Sequence, residues 1–129
     1  MAEAQVYRIL ADGFTSDIEQ ARELVAEIET ESIKVLLLPD AAWTRRVSGV
    51  FGNELARGAP DRAHALMTLL PEGDYRVSVR APLNNKAGAD ELCMQFPSGG
   101  GRKAAAGINA LPTAMFDHFI DAFRHMYER

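Results

Sequence analysis

The stretch Lys34-Val35-Leu36-Leu37-Leu38, closed by Pro39-Asp40, constrains the fold of this chain more than any other feature. It is a continuous apolar run of strand length, without the alternation of a half-solvated strand. Such a run reads as a buried strand, so the sheet that contains it must be covered. The 129 residues are the usual size of one compact domain. At that length roughly two-thirds of the unfolded chain's surface can be buried. Hydrophobic content of 47% and charged content of 25% fit an ordinary globular core that needs neither disulfide nor metal.

Helices and strands alternate around this run. Tyr7 to Asp12 reads as a short strand. Ser16 reads as a helix N-cap with Glu19 as its capping-box partner, and Ile18, Leu24, Val25, Ile28 and Ile33 follow at helical spacing. Ala41 to Arg57 is a second helix with Val47, Val50, Phe51 and Leu55 as its apolar stripe. Gly49 and Gly52 weaken it by ~1 kcal/mol each, which a close approach of a strand or ligand would explain. Ala63–Leu70 and Asp74–Ala81 read as paired strands around the turn Pro71-Glu72-Gly73-Asp74. Asn84-Asn85-Lys86 is a loop, and Gly88–Phe96 a short helix ended by Pro97. Ala104–Leu111 is the last strand. Thr113 caps a terminal helix that turns Met115, Phe116, Phe119, Ile120, Phe123 and Met126 to the core. The expected fold is α/β, α+β-like: a single mixed sheet of about four to five strands, covered by helices, with the C-terminal helix packed on it. The chain is expected to be one domain over residues 1–129, with an N-terminal helix or linker over 1–32 and a core over 33–129.

Several function classes are disfavoured. The net charge of -4 gives no overall positive field for duplex nucleic acid, so any phosphate contact must come from a local cluster. The single cysteine, Cys93, forms neither an internal disulfide nor a zinc cluster. No apolar run reaches the ~20 residues of a membrane span, and Met1–Gln5 does not open a signal peptide. A cytoplasmic chain without membrane partners is the expectation. His64 opens a strand, and His118 and His125 share one side of the terminal helix, without metal-ligand spacing to any carboxylate. All three read as structural, and no catalytic dyad is visible.

Three stretches carry the chemistry of binding. In Ser98-Gly99-Gly100-Gly101-Arg102-Lys103, consecutive glycines let backbone amides converge on an anion, with a hydroxyl and two cations beside them. The same composition also suits a turn that merely ends a helix. In Tyr75–Ala81, strand alternation puts Arg76, Ser78 and Arg80 on one face. That face either holds a phosphate or carboxylate or is simply solvated. In Asp40–Gly49, Trp43 either stacks on a base or joins the core. Arg45 and Arg46 read as a solvated helix face that could add to a phosphate field.

The order "VSVR", helix, "GGGR", "AAAGI" resembles the DHHA1 domain, the C-terminal half of DHH-family phosphoesterases. The similarity covers roughly Ile33 to Leu111. The family includes RecJ-like exonucleases, oligoribonuclease/pAp phosphatases, cyclic-dinucleotide phosphodiesterases and exopolyphosphatase-like proteins. The resemblance implies a DHHA1-like domain over the whole chain that grips substrate phosphates, through Ser78 and Arg80 and through Gly99, Gly100, Gly101 and Arg102. A DHH domain, in cis or in trans, would hold the catalytic manganese. This sequence has no Asp-His-His triplet, so by itself it is expected to be non-catalytic and free of cofactor, within a metal-dependent hydrolase. The implied ligand is a short single-stranded oligonucleotide, a nucleotide or polyphosphate. Arg102 stands where the family usually has histidine; arginine is always charged and only donates, so phosphate binding is retained while an acceptor is lost. Ala81 replaces a frequent serine. A structural or interaction domain with a degenerate loop is the alternative. A CoA-binding transferase fits less well, because its glycine loop would lie between strand and helix.

Overall fold

A computed structural model describes residues 17–128. The expected strand at Tyr7–Asp12 and the Ser16 cap lie outside them. Residues 17–22 are helical (α1). Strands β1 (Ile28–Glu29) and β2 (Ile33–Leu38) are followed by helix α2 (Ala42–Gly58), then β3 (Ala63–Leu69) and β4 (Asp74–Arg80). Helix α3 (Ala89–Cys93), β5 (Gly99–Gly101), β6 (Ala105–Pro112), a 3₁₀ turn (Thr113–Met115) and helix α4 (Phe116–Tyr127) complete the chain. The strands form one mixed sheet of six, in the order β1-β2-β3-β4-β6-β5. β2 and β3 run parallel; every other pair is antiparallel.

The apolar run of β2 is covered on both sides, as its composition requires. On the first face Ile33 and Val35 join Ala63, Ala65, Met67, Val77, Val79 and Ile108 under α3 and α4. On the second face Leu36, Leu38 and Leu66 pack against Val47 and Phe51 of α2 and against Ile18 and Ala21 of α1. α4 is held by a ladder at every fourth residue: Phe119, Phe123 and Tyr127 follow one another at ring-centroid distances of 5.9 and 5.6 Å. Phe119 and Phe123 are fully buried, each contributing about 2 kcal/mol of transfer energy.

Five expectations change. The first helix ends at Arg22, so Val25 is exposed and Ile28 pairs with Val35 as a strand. A turn at Thr30 outcompetes the helix: its Oγ1 accepts from the amides of Ser32 and Ile33 at 3.1 and 3.0 Å. Among the described residues the sheet therefore starts at Ile28, not at Ile33, and has six strands instead of four or five. Val50 is half exposed on α2 and does not join its buried stripe. Thr113 does not cap α4 with its side chain; its carbonyl accepts from the Phe116 amide in the 3₁₀ turn. The triple glycine is not a loop but the edge strand β5, paired with β6 from Gly99↔Ile108 to Gly101↔Ala106.

Candidate functional site

Among the described residues, α2 covers the β2 and β3 part of the second face and leaves β4, β6 and β5 half open. Register lines up two rows there. Leu66, Ser78, Gly107 and Gly100 lie opposite one another across four strands. One step along, His64, Arg80 and Ala105 are aligned, and the Arg102 amide donates to the Ala105 carbonyl at 2.9 Å. Residues opposite one another in antiparallel strands share a face. Ser78 and Arg80 therefore border a floor made of Gly107, Ala105 and Gly100, which carries almost no side chain. Arg102 and Lys103, both exposed, form the turn at its far side. Arg80 and the far strand lie about 10 Å apart, two strand spacings.

The glycines have separate reasons. A Cβ at Gly99 would collide with the Cys93 carbonyl, where α3 ends against β5. At Gly101, φ is 145° and a Cβ would meet Ala106. At Gly107 it would lie 2.8 Å from the Val77 carbonyl. At Gly100 it would meet nothing within 4 Å among the described residues.

The amides do not converge into a nest. Gly99 donates to the Phe96 carbonyl at 3.1 Å and Arg102 to Ala105. The Asn109 amide donates to Ser98 O, so ladder alternation pairs Gly100 with Gly107. Gly101 is left with its amide toward the sheet edge. The Ser98 hydroxyl accepts from the Ala110 amide at 2.9 Å. Ser98 also lies four extended residues, ~13 Å, from Arg102. The two do not meet at one anion.

Arg80 reaches back to α2. Its Nη2 donates to the Gly49 carbonyl at 3.2 Å, and its Cδ and Cζ sit 3.2 and 3.1 Å from where a Gly52 Cβ would be. Its Nε is buried without a partner among the described residues, and burial pulls the guanidinium below its ordinary value, though it stays charged at neutral pH. Beside it, His64 is buried, its Nδ1 unpartnered among the described residues. Burial, reinforced by Arg62, Lys34 and Arg80, depresses this imidazole to about 4.

The remaining candidates are engaged otherwise, although Arg45 also borders the small cavity beside Ser78. Trp43 is partly buried against the α1–α2 core. Arg45 pairs with Asp40 at 3.1 Å and Arg46 with Asp17 at 2.9 Å, so both are neutralised locally. His118 and His125 are exposed. A small cavity of about 60 Å³ adjoins Ser78 between α2 and the strands. A larger cleft of about 410 Å³ lies off the strand ends against α4, but Glu31 and Asp61 make it acidic, the wrong sign for phosphate. Among the described residues no cluster of His, Cys, Asp or Glu fits a metal ion, and no helix is long and apolar enough to cross a membrane.

Sequence reading missed the floor and the seat of Arg80. Gly52 within a helix was the one signal of that seat; His64 beside Arg80 gave none.

No protein-family model matches the chain, and no curated protein does. Solved structures do. RecJ from Thermus thermophilus, in complex with Mg2+, superposes with a TM-score of 0.64 at 22% identity, covering 95% of this chain and 19% of RecJ. An exopolyphosphatase-related protein from Bacteroides fragilis gives 0.60 at 14%, over 98% of this chain and 38% of that one. The pGpG-specific phosphodiesterase PggH of Vibrio cholerae gives 0.57 at 12%, over 95% and 40%. The chain thus has the fold of a domain found in DHH-family phosphoesterases, and the likeness signalled by "VSVR" and "GGGR" holds at the level of fold. It spans a fifth to two-fifths of these proteins' length.

Proposed function

We propose that the open face of β4, β6 and β5 is a phosphate-binding surface, and that this chain is the substrate-gripping domain of a DHH-type phosphoesterase. One observation carries the reading: Arg80 and Arg102 bracket a floor of Gly107, Ala105 and Gly100, and Gly100 has no packing reason to lack a side chain. A bare floor between two guanidinia admits an anion to the backbone. Ser78 donates a hydroxyl, and Lys103 and the edge-facing Gly101 amide add weaker attraction. The ligand class is a phosphorylated chain: a short single-stranded oligonucleotide, a nucleotide or polyphosphate. In this reading the chain contributes position. Hydrolysis belongs to a separate DHH domain, in cis or in trans.

The contrary reading, a structural domain without ligand, draws on Gly99, Gly101 and Gly107, whose glycines packing alone explains. Calorimetric titration with a 5′-phosphorylated dinucleotide separates the two. Wild type is expected to bind weakly, and Arg80→Ala with Arg102→Ala to abolish binding. No binding by wild type at millimolar ligand favours the structural reading; equal binding by both removes these arginines from the site.

A further inference from the structure

We infer that Gly52 is a positioning residue for Arg80, an inference that rests on the phosphate-binding reading. α2 is a 17-residue helix, and glycine in its interior is unfavourable relative to alanine. No turn or cap at position 52 calls for glycine. What occupies the space is the Arg80 side chain: Nε, Cζ and Cδ are the three atoms nearest to the place a Cβ would take. Three neighbours define the seat. Gly52 supplies a notch for the Nε edge of the guanidinium. Gly49, one turn earlier, supplies the carbonyl that accepts from Nη2 at 3.2 Å. The buried, neutral ring of His64 lies beside Arg80 on the neighbouring strand. With Nε buried and Nη2 tethered, Nη1 is the nitrogen left, among the described residues, without a protein acceptor and outside the buried set. An arginine has five donors in a rigid fork, and a fork held by one edge presents the other in a fixed direction. The notch thus turns a flexible side chain into a preset donor at the border of the glycine floor. Its loss would let the guanidinium swing, so each binding event would have to order it again.

The consequence reverses the usual effect of a glycine in a helix. Gly52→Ala removes a poor helix former, yet it displaces Arg80. In the wild-type background it is expected to weaken binding of the 5′-phosphorylated dinucleotide by about tenfold, the loss typical of one charge-assisted hydrogen bond. In an Arg80→Ala background it is expected to change affinity by less than about twofold and to raise the thermal midpoint, because the notch is then empty. The side-chain Nε–H signal of Arg80, followed by NMR without ligand, gives a readout that a helix-stability effect would not move. It is expected to be protected from solvent exchange in wild type and unprotected in Gly52→Ala. Protection unchanged by Gly52→Ala overturns the inference whether or not ligand binds. Affinity unchanged by Gly52→Ala but lost in Arg80→Ala overturns it while leaving the binding site intact. Equal affinity in wild type and Arg80→Ala is instead a failure of the site itself.

Discussion

Gly99 lies so close to the end of α3 that a side chain there would occupy the position of the Cys93 carbonyl oxygen. Gly100, the next residue, would place a Cβ in open space. Identical substitutions at adjacent positions should therefore differ in outcome. Gly99→Ala must separate β5 from α3 and is expected to lose at least about 3 kcal/mol, the scale of severe backbone or packing disruption. Gly100→Ala should be neutral or stabilising by up to about 1 kcal/mol, through loss of unfolded-state entropy. Urea titration of both variants checks the pair. Equal midpoints would contradict the packing of α3 on the edge strand.

Gly100 also separates packing from function. If the bare floor receives phosphate, Gly100→Val should keep the wild-type unfolding midpoint to within a few degrees yet lose dinucleotide binding by about tenfold or more, because the side chain fills the anion's place. Retained affinity in a folded Gly100→Val protein would move the ligand off this floor.

Cys93 is fully buried in α3, and burial, with Asp90 nearby, pushes its thiol up to about 12. The thiolate is the reactive form. A thiol reagent at pH 8 is expected to leave the native protein unlabelled and to modify it only as fast as it unfolds. Rapid stoichiometric labelling of the folded chain would show that α3 does not seal this position.

The fold was legible where composition left one solution. The β2 run had no polar side to offer water, and the aromatic spacing of α4 suited a helix alone. The edges were harder. Ile28 fits a helix stripe and a strand equally well, and only pairing with Val35 decides between them. Three glycines read as a turn because glycine is depleted in strands; β6 supplies the partner that overrides this preference. For the site, alternation placed Ser78 and Arg80 on one face correctly. It could not show that the Ser98 hydroxyl is engaged by Ala110, or that Gly107 and Gly100 complete a floor with Ser78. Those facts live in cross-strand register, which a sequence does not encode locally. Arg102 stays beside the floor, but its amide is bound to Ala105, so its contribution is its side-chain charge.

That charge has a measurable signature. A single-stranded oligonucleotide releases counterions when cations neutralise its phosphates, with a slope of about -0.7 per contact in log affinity against log salt. Arg102→Ala should weaken binding and reduce the slope by about 0.7. The same charge at Arg45, already paired with Asp40, should leave the slope unchanged when replaced. Titrations at several salt concentrations compare them. A slope that falls with Arg45→Ala and not with Arg102→Ala would relocate the phosphate path to α2.

His64 gives the fold a pH dependence that can be assigned to one side chain. Its imidazole is depressed from 6.5 to about 4 in the folded chain, so the unfolded chain takes up the proton first as pH falls. Above pH 7 both states are neutral here and His64 adds no slope. Between pH 6.5 and 4 the unfolded state gains the proton and stability declines, by about 3 kcal/mol in total. Below pH 4 the folded state is protonated as well and the contribution levels off. The cationic groups facing the ring, Arg62, Lys34 and Arg80, deepen the effect that burial starts. His64→Leu should abolish it. Unfolding free energies of the two proteins, measured across pH 4 to 8, are expected to differ by a constant above pH 7 and to diverge below 6.5, with wild type losing more. Parallel curves down to pH 4 would mean that His64 takes up its proton in the folded chain at its ordinary value, and that the ring is not buried.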